Sequence, residues 1–265
     1  MTAPAGPWRL IREDVRSGAM QMALDAVAAA TAAEGGPWTL RVYSWEPSTL
    51  SLGYHQDPAT VDWDFCDRAG IDVVRRPTGG GAIYHDRYGD ISYSVVAPTE
   101  VLPGDLTETY ELLCEPLFEA FDRVGVEAGF ADEPADAIHD PACYLRGIDP
   151  AHDVVAEDGR KLSGNAQYRK REAVIQHGSL TYERRVDRHL DSFTTDLDAD
   201  RFRSRVTSVS DQVAVDRMAV VSTLESAFRD WAGADDGTWA DDELDRARDR
   251  VADRFGTADW TRREP

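Results

Sequence analysis

Between Ile71 and Pro98 three strand-like segments, "IDVVRRP", "GAIYHD" and "DISYSVVAP", follow one another with only a few turn-forming residues between them. Parallel neighbours need a crossover of a dozen residues or more, whereas antiparallel ones can be joined by two. Spacing this short predicts a sheet built largely from hairpins. The same pattern continues on both sides. "WTLRVYSW" and "TLSLGY" read as two adjacent strands around a Glu-Pro-Ser turn, and "HDVVAEDGRKLSG" carries an Asp158-Gly159 hairpin signal ahead of a further strand, "AVIQHGSLTY".

Helical stripes frame these strands. From Ser17 to Ala33 the apolar positions Met20, Ala23, Leu24, Val27 and Ala30 recur at helical spacing, and the Glu-Gly-Gly that follows is a stop. A short helix is expected within "PATVDWDFCDRAG", closed by Gly70. From Asp105 to Val124 a second long stripe begins at an Asp105/Glu108 capping pattern and is expected to kink at Pro116. Two amphipathic helices are expected after Val213. Helices at the start, middle and end around at least six strands predict an α+β fold with mostly antiparallel or mixed sheets, in one domain over residues 1–265.

The 265 residues include 49 acidic and 29 basic ones, a formal net charge of -20. Lys161 and Lys170 are the only lysines. Arginine in place of lysine on a strongly acidic chain suggests a halophile-like cytoplasm, and the charge argues against nucleic acid and against an anionic membrane surface. Cys66, Cys114 and Cys143 are too scattered for a disulfide framework or a zinc site, and no apolar run reaches membrane-spanning length. A cytoplasmic protein is the expectation.

Two stretches stand out chemically. In "RRPTGGGAIYHD" Gly79, Gly80 and Gly81 are contiguous and lead into a strand, which fits neither a dinucleotide fingerprint nor a P-loop. What remains is a glycine bend whose bare N–H groups can face an anion, with Arg75 or Arg76 supplying charge. In "GRKLSGNAQYRKR" Lys161 sits in strand context beside Ser163, Gly164, Asn165 and Ala166. Its retention in a chain that avoids lysine suggests a task arginine cannot perform. Lys170 reads as surface charge.

These two stretches, in this order and with "SGAMQMALD", "LSLGYHQ", "QHGSL" and "FGTADW" around them, resemble the lipoate-protein ligase A family of the biotin/lipoate ligase catalytic-domain superfamily along nearly the whole chain. The resemblance implies a two-step reaction: lipoate and MgATP give lipoyl-adenylate, and the lipoyl group then passes to a lysine of a lipoyl domain or of glycine-cleavage H protein. By motif, Arg76 and the segment Gly79, Gly80, Gly81, Ala82, Ile83 and Tyr84 are expected to hold ATP and the adenylate, and Lys161 to contact the lipoate carboxyl and the α-phosphate. Arg75, His85, Ser163, Gly164 and His177 are further candidates, and Asp153 is a candidate magnesium ligand. Leu52, Tyr54, Val74 and Ile83 are candidate walls for the aliphatic chain. No tightly bound cofactor is expected.

Two departures complicate that reading. The pair before the lysine motif is His152-Asp153 where these ligases commonly show Asn-Asp. Cys143, in "DPACYLRG", sits where related cysteine-type octanoyltransferases carry their nucleophile; those enzymes take octanoyl from acyl carrier protein without ATP. The unbroken glycine run through Gly81 weighs toward the ligase. The ATP-dependent lipoate ligase is therefore the leading expectation and the Cys143 octanoyltransferase its alternative. As the chain stops soon after Trp260, where the family's catalytic domain normally finishes, no C-terminal accessory domain is expected, and a ligase would need a separate small accessory protein. Biotin ligation is disfavoured because "TGGGA" replaces the G-R-G-R-type loop, and a non-catalytic lipoyl-binding role is disfavoured by the joint presence of Arg76, the glycines and Lys161.

Overall fold

The structure is a computed structural model that describes residues 2–150, 152–169 and 171–264; Lys170 lies outside the described residues. Eleven strands are described: β1 (Trp8–Arg16), β2 (Trp38–Trp45), β3 (Thr49–Leu52), β4 (Asp72–Arg75), β5 (Ile83–His85), β6 (Asp90–Pro98), β7 (Ala128–Phe130), β8 (Val154–Ala156), β9 (Lys161–Arg169), β10 (Ala173–Thr181) and β11 (Asp235–Gly237). Helices α1 (Gly18–Ala33), α2 (Trp63–Arg68), α3 (Leu106–Val124), α4 (Val186–Leu190), α5 (Ala199–Arg205), α6 (Val209–Gln212), α7 (Arg217–Ala232), α8 (Asp241–Arg250) and α9 (Ala258–Thr261) complete the set.

Eight strands form one mixed sheet in the order β11-β1-β2-β6-β10-β9-β8-β7, and β4-β3-β5 form a second. From β2 through β6, β10, β9 and β8 to β7 every pairing is antiparallel, but only β8-β9 and β9-β10 are the hairpins the short connections predict, whereas β2-β6, β6-β10 and β7-β8 join strands distant in the chain. The expected α+β class with mixed sheets is therefore what the chain adopts. Three features differ from the sequence reading. β1, which was not expected, pairs parallel to β2, with α1 serving as the crossover helix. β11 adds parallel on the other side of β1. β2 and β3 follow one another in the chain but belong to different sheets, and β4 and β5 flank β3 rather than pairing together. The glycine loop thus crosses from one edge of β3 to the other.

Side-chain alternation covers both faces of the large sheet. Leu40 and Val42 of β2 and Tyr93, Val95 and Ala97 of β6 pack with α3 and α7. Tyr43 and Trp45 of β2, Val96 and Ile175 pack with α1 and α8. A third cluster joins the small sheet to α2, α4 and α5, helices of which only α2 had a sequence signal. α3 starts where expected, with the Asp105 carboxylate accepting from the Thr107 and Glu108 N–H groups, and runs unbroken through Pro116 to a left-handed Gly125. Among the described residues no helix is long and apolar enough to cross a membrane.

Candidate active site

A cavity of about 780 Å³ opens between α1, the large sheet, the glycine loop and the segment 134–153. Its wall includes Met22, Tyr43, Trp45, Ser51, Arg76, Gly79, Gly80, Ile83, His85, Cys143, Asp153, Lys161, Gly164 and His177. The two sequence stretches singled out above therefore meet in one place, together with Cys143.

Lys161 begins β9 and is almost fully buried, its ammonium 2.7 Å from Asp153 Oδ1 and donating to the Cys143 carbonyl oxygen at 3.1 Å. A buried ammonium is tolerated because a carboxylate and a carbonyl replace its water. Asp153 is in turn fixed by the Asp149 N–H on Oδ2 at 3.0 Å. Both carboxylate oxygens are thus engaged, one with the Lys161 ammonium and one with a backbone N–H, so Asp153 serves here as the counter-charge of Lys161. Among the described residues no cluster of three His, Cys, Asp or Glu side chains is disposed to hold a metal. The neighbouring His152 stacks on Tyr110, ring centroids 5.3 Å apart.

Cys143 opens a short 3₁₀ turn, Cys143–Leu145, and is only half-buried. Its N–H donates to the Ala82 carbonyl at 2.8 Å, and the Ala82 N–H donates to the Pro141 carbonyl at 2.6 Å. The glycine strand and the cysteine turn are thereby stitched together. Gly81 is what allows that approach: a Cβ there would stand 2.8 Å from the backbone oxygens of Asp140 and Pro141 and 2.9 Å from the Cys143 nitrogen. On the other side, a Cβ at Gly164 would lie 3.3 Å from the Cys143 sulfur. Cys66 and Cys114 are instead fully buried, which pushes their thiols up to about 11 and about 12 and keeps them protonated.

Gly81→Ala is expected to displace the cysteine turn and lower activity by about 10²-fold, the order of loss a 1 Å misplacement produces. Gly79→Ala, whose Cβ would meet nothing within 4 Å, is expected to change stability by less than about 0.5 kcal/mol and to leave activity near that of the parent. Steady-state rates on both purified variants check the contrast.

Arg76 is buried, which pushes its guanidinium down to about 10, still charged at neutral pH. It donates to the carbonyls of Ser51 at 2.7 Å, Gly79 at 2.9 Å and Gly81 at 2.6 Å, so much of its hydrogen-bonding capacity shapes the loop. Arg75 points elsewhere, onto the carbonyls of Gly53, Gln56 and Thr261, and clasps the 53–56 loop to α9. On β5, alternation sends Ile83 and His85 into the cavity and Tyr84 to the opposite side, where its hydroxyl donates to Asp86 at 2.9 Å. Ser163 is buried behind the wall, donating to the Ser179 carbonyl. His177 lines the cavity with Nε2 2.8 Å from Thr78 Oγ1 and Nδ1 3.6 Å from Asp25; burial lowers its pKa from the ordinary imidazole value, against the pull of the Asp25 carboxylate.

Of the four expected apolar walls only Ile83 lines the cavity; Leu52 packs in the small-sheet core and Val74 with α1. Met22, Tyr43 and Trp45 take that place instead. Tyr43 and Trp45 were visible among the aromatics of "WTLRVYSW", whereas Met22 lies off the helical stripe Met20, Ala23, Leu24, Val27 and Ala30, and nothing local says which face of a strand or helix meets a cavity. Asn165 was also passed over. It accepts from the Tyr93 hydroxyl across β10, a contact that only a glycine at 178 permits, since a Cβ there would overlap both groups.

The chain matches the lipoyl protein ligase A/B catalytic domain over residues 17–229. It is 33% identical to octanoyltransferase LipM of Kyrpidia tusciae, covering 97% of this chain and 89% of that protein. To octanoyltransferase LipM of Halalkalibacterium halodurans it is 29% identical, covering 97% and 99%. Its fold resembles that in a structure of the archaeal lipoylation system of Thermoplasma acidophilum, a bi-partite lipoate protein ligase and its E2 lipoyl domain, with a TM-score of 0.80 at 24% identity over 97% of this chain and 96% of that one. The octanoyltransferase relatives overturn the expectation of an ATP-dependent lipoate ligase. The feature that had weighed for it, Gly81, has a separate explanation in the close packing of the cysteine turn.

Proposed function

The chain belongs to the lipoyl protein ligase A/B catalytic domain family, and on that premise we propose that it is an octanoyltransferase, moving octanoyl from acyl carrier protein through a Cys143 thioester to a lysine of a lipoyl domain, without ATP. The observation that carries this reading is a half-buried thiol in the cavity wall, on a turn whose carbonyl is held by a buried lysine. The names of the two relatives support the same reaction, and the E2 lipoyl domain of the Thermoplasma system supports the acceptor class.

In the first half-reaction the Cys143 thiolate adds to the carbonyl carbon of the octanoyl thioester. The negative charge that develops on the carbonyl oxygen is stabilised by the Lys161 ammonium, whose water-poor surroundings strengthen the attraction. Collapse breaks the carrier's C–S bond and the carrier leaves as its thiolate, which takes a proton from solvent; the proton the acceptor amine gives up in the second half-reaction returns to solvent. In the second half-reaction the neutral amine of the acceptor lysine adds to the Cys143 thioester, an amide forms as the amine loses its proton, and the Cys143 thiolate is released. Splitting the transfer into two thiolate steps removes the need for an activated adenylate, because the donor is already a thioester. Met22, Tyr43, Trp45 and Ile83 offer the octanoyl chain an apolar wall.

The test is intact-mass analysis of an unmodified lipoyl domain incubated with this protein and octanoyl-acyl carrier protein in the absence of ATP. An octanoylated acceptor is the expected product. A mass gain that appears only with free acid plus ATP would overturn the reading.

A further inference from the structure

A second constellation lines the same cavity and has no part in the transfer just described. Ser51 Oγ lies 2.9 Å from His85 Nε2, and His85 Nδ1 lies 2.8 Å from Asp90 Oδ2. All three side chains are buried, and Ser51 and His85 are part of the cavity wall. A carboxylate at Nδ1 fixes the proton on that nitrogen and leaves Nε2 as the acceptor facing the serine hydroxyl, the tautomer a serine nucleophile requires.

The surroundings hold that arrangement. The His85 ring stacks on Trp45 with centroids 4.1 Å apart and planes 16° from parallel. Asp90 accepts from the hydroxyls of Ser179 at 2.5 Å and Ser92 at 3.0 Å, which keep it aimed at His85. An Arg76 N–H reaches Ser51 Oγ at 3.3 Å and places positive charge beside the oxygen that would become an alkoxide. Strand geometry explains the placement: Leu50 and Leu52 on either side of Ser51 turn into the small-sheet core, so Ser51 must face the other way.

We propose that Ser51, His85 and Asp90 form a serine acyl-hydrolase site, which gives the cavity a second activity toward medium-chain acyl esters and thioesters. Ser51 Oγ adds to the acyl carbonyl as its proton passes to His85 Nε2. The leaving alcohol or thiol departs with that proton, and an ester to Ser51 remains. Water then gives a proton to His85 and adds to this ester, releasing the fatty acid, and the proton returns to Ser51. The site needs neither Cys143 nor an acceptor protein.

The test uses the full-length Cys143→Ala protein, so that the thiol cannot contribute. It is treated with a fluorophosphonate, and separately with p-nitrophenyl octanoate. Expected results are a single phosphonate adduct that peptide mapping places on Ser51, and ester hydrolysis that falls by about 10²-fold or more on adding Ser51→Ala, the scale of loss when a triad nucleophile is removed. His85→Gln is expected to abolish labelling while Ser51 is still present. Circular dichroism confirms that each variant is folded. Absence of any adduct on folded protein, or hydrolysis unchanged by Ser51→Ala, would overturn the proposal. Octanoyl transfer by the parent protein is a separate readout, so failure of this site and failure of the transferase reading are distinguishable.

Discussion

Replacing Cys143 with alanine is expected to lower the rate of octanoyl transfer to a lipoyl domain by about 10³-fold or more, because the covalent route loses its nucleophile and nothing else in the transfer mechanism can carry the acyl group between donor and acceptor. The cysteine turn is held by backbone hydrogen bonds, Cys143 N–H to Ala82 and Lys161 to the Cys143 carbonyl, which alanine preserves. Fold and stability are therefore expected to stay close to the parent's. With octanoyl-acyl carrier protein and no acceptor, the parent protein is expected to gain a hydroxylamine-sensitive octanoyl adduct at Cys143, and Cys143→Ala to gain no such thioester. Cys66→Ala serves as a control, since that thiol is buried in the small-sheet core and burial keeps it protonated. Transfer that survives Cys143→Ala undiminished would remove the thioester mechanism.

Lys161→Met is expected to cost both stability and activity, for different reasons. The Lys161 and Asp153 side chains are 2% and 6% exposed. Removing one partner of so buried a pair leaves a carboxylate without its counter-charge, a loss of about 3–5 kcal/mol. Adding Asp153→Asn takes away the stranded charge and is expected to recover part of that loss, giving a coupling energy of at least about 1 kcal/mol in a double-mutant cycle. Activity is expected to remain about 10²-fold down in the double variant, because the charge facing the acyl carbonyl is still missing. Urea unfolding and initial rates on the four proteins separate the two effects. Additive stability losses would show that the pair is not coupled, and full activity in the double variant would remove Lys161 from the mechanism.

Local chemistry made part of this site legible in advance. Three contiguous glycines between strands, a lysine kept in a chain that otherwise uses arginine, and a cysteine in a Pro-rich loop are visible without coordinates, and the structure brings all three to one cavity. Assigning each a task was harder. Gly81 reads equally well as bare backbone for a phosphate and as clearance for a neighbouring loop, and only the positions of Asp140, Pro141 and Cys143 distinguish them. Arg75 and Arg76 are adjacent in sequence, yet one clasps α9 and the other shapes the glycine loop.

The sequence by itself determined the β8-β9-β10 hairpins, the two long helical stripes, the glycine bend and the acidic, lysine-poor surface, because each is written in periodicity or composition within a short window. Tertiary structure decided the parallel edge of β1 and β11, the split of β2 and β3 between two sheets, the walls of the cavity, and the meeting of Ser51 with His85 and Asp90. Those outcomes depend on which distant backbone closes against which. A strand's alternation says that two faces exist, but what each face meets is set by packing across the whole chain.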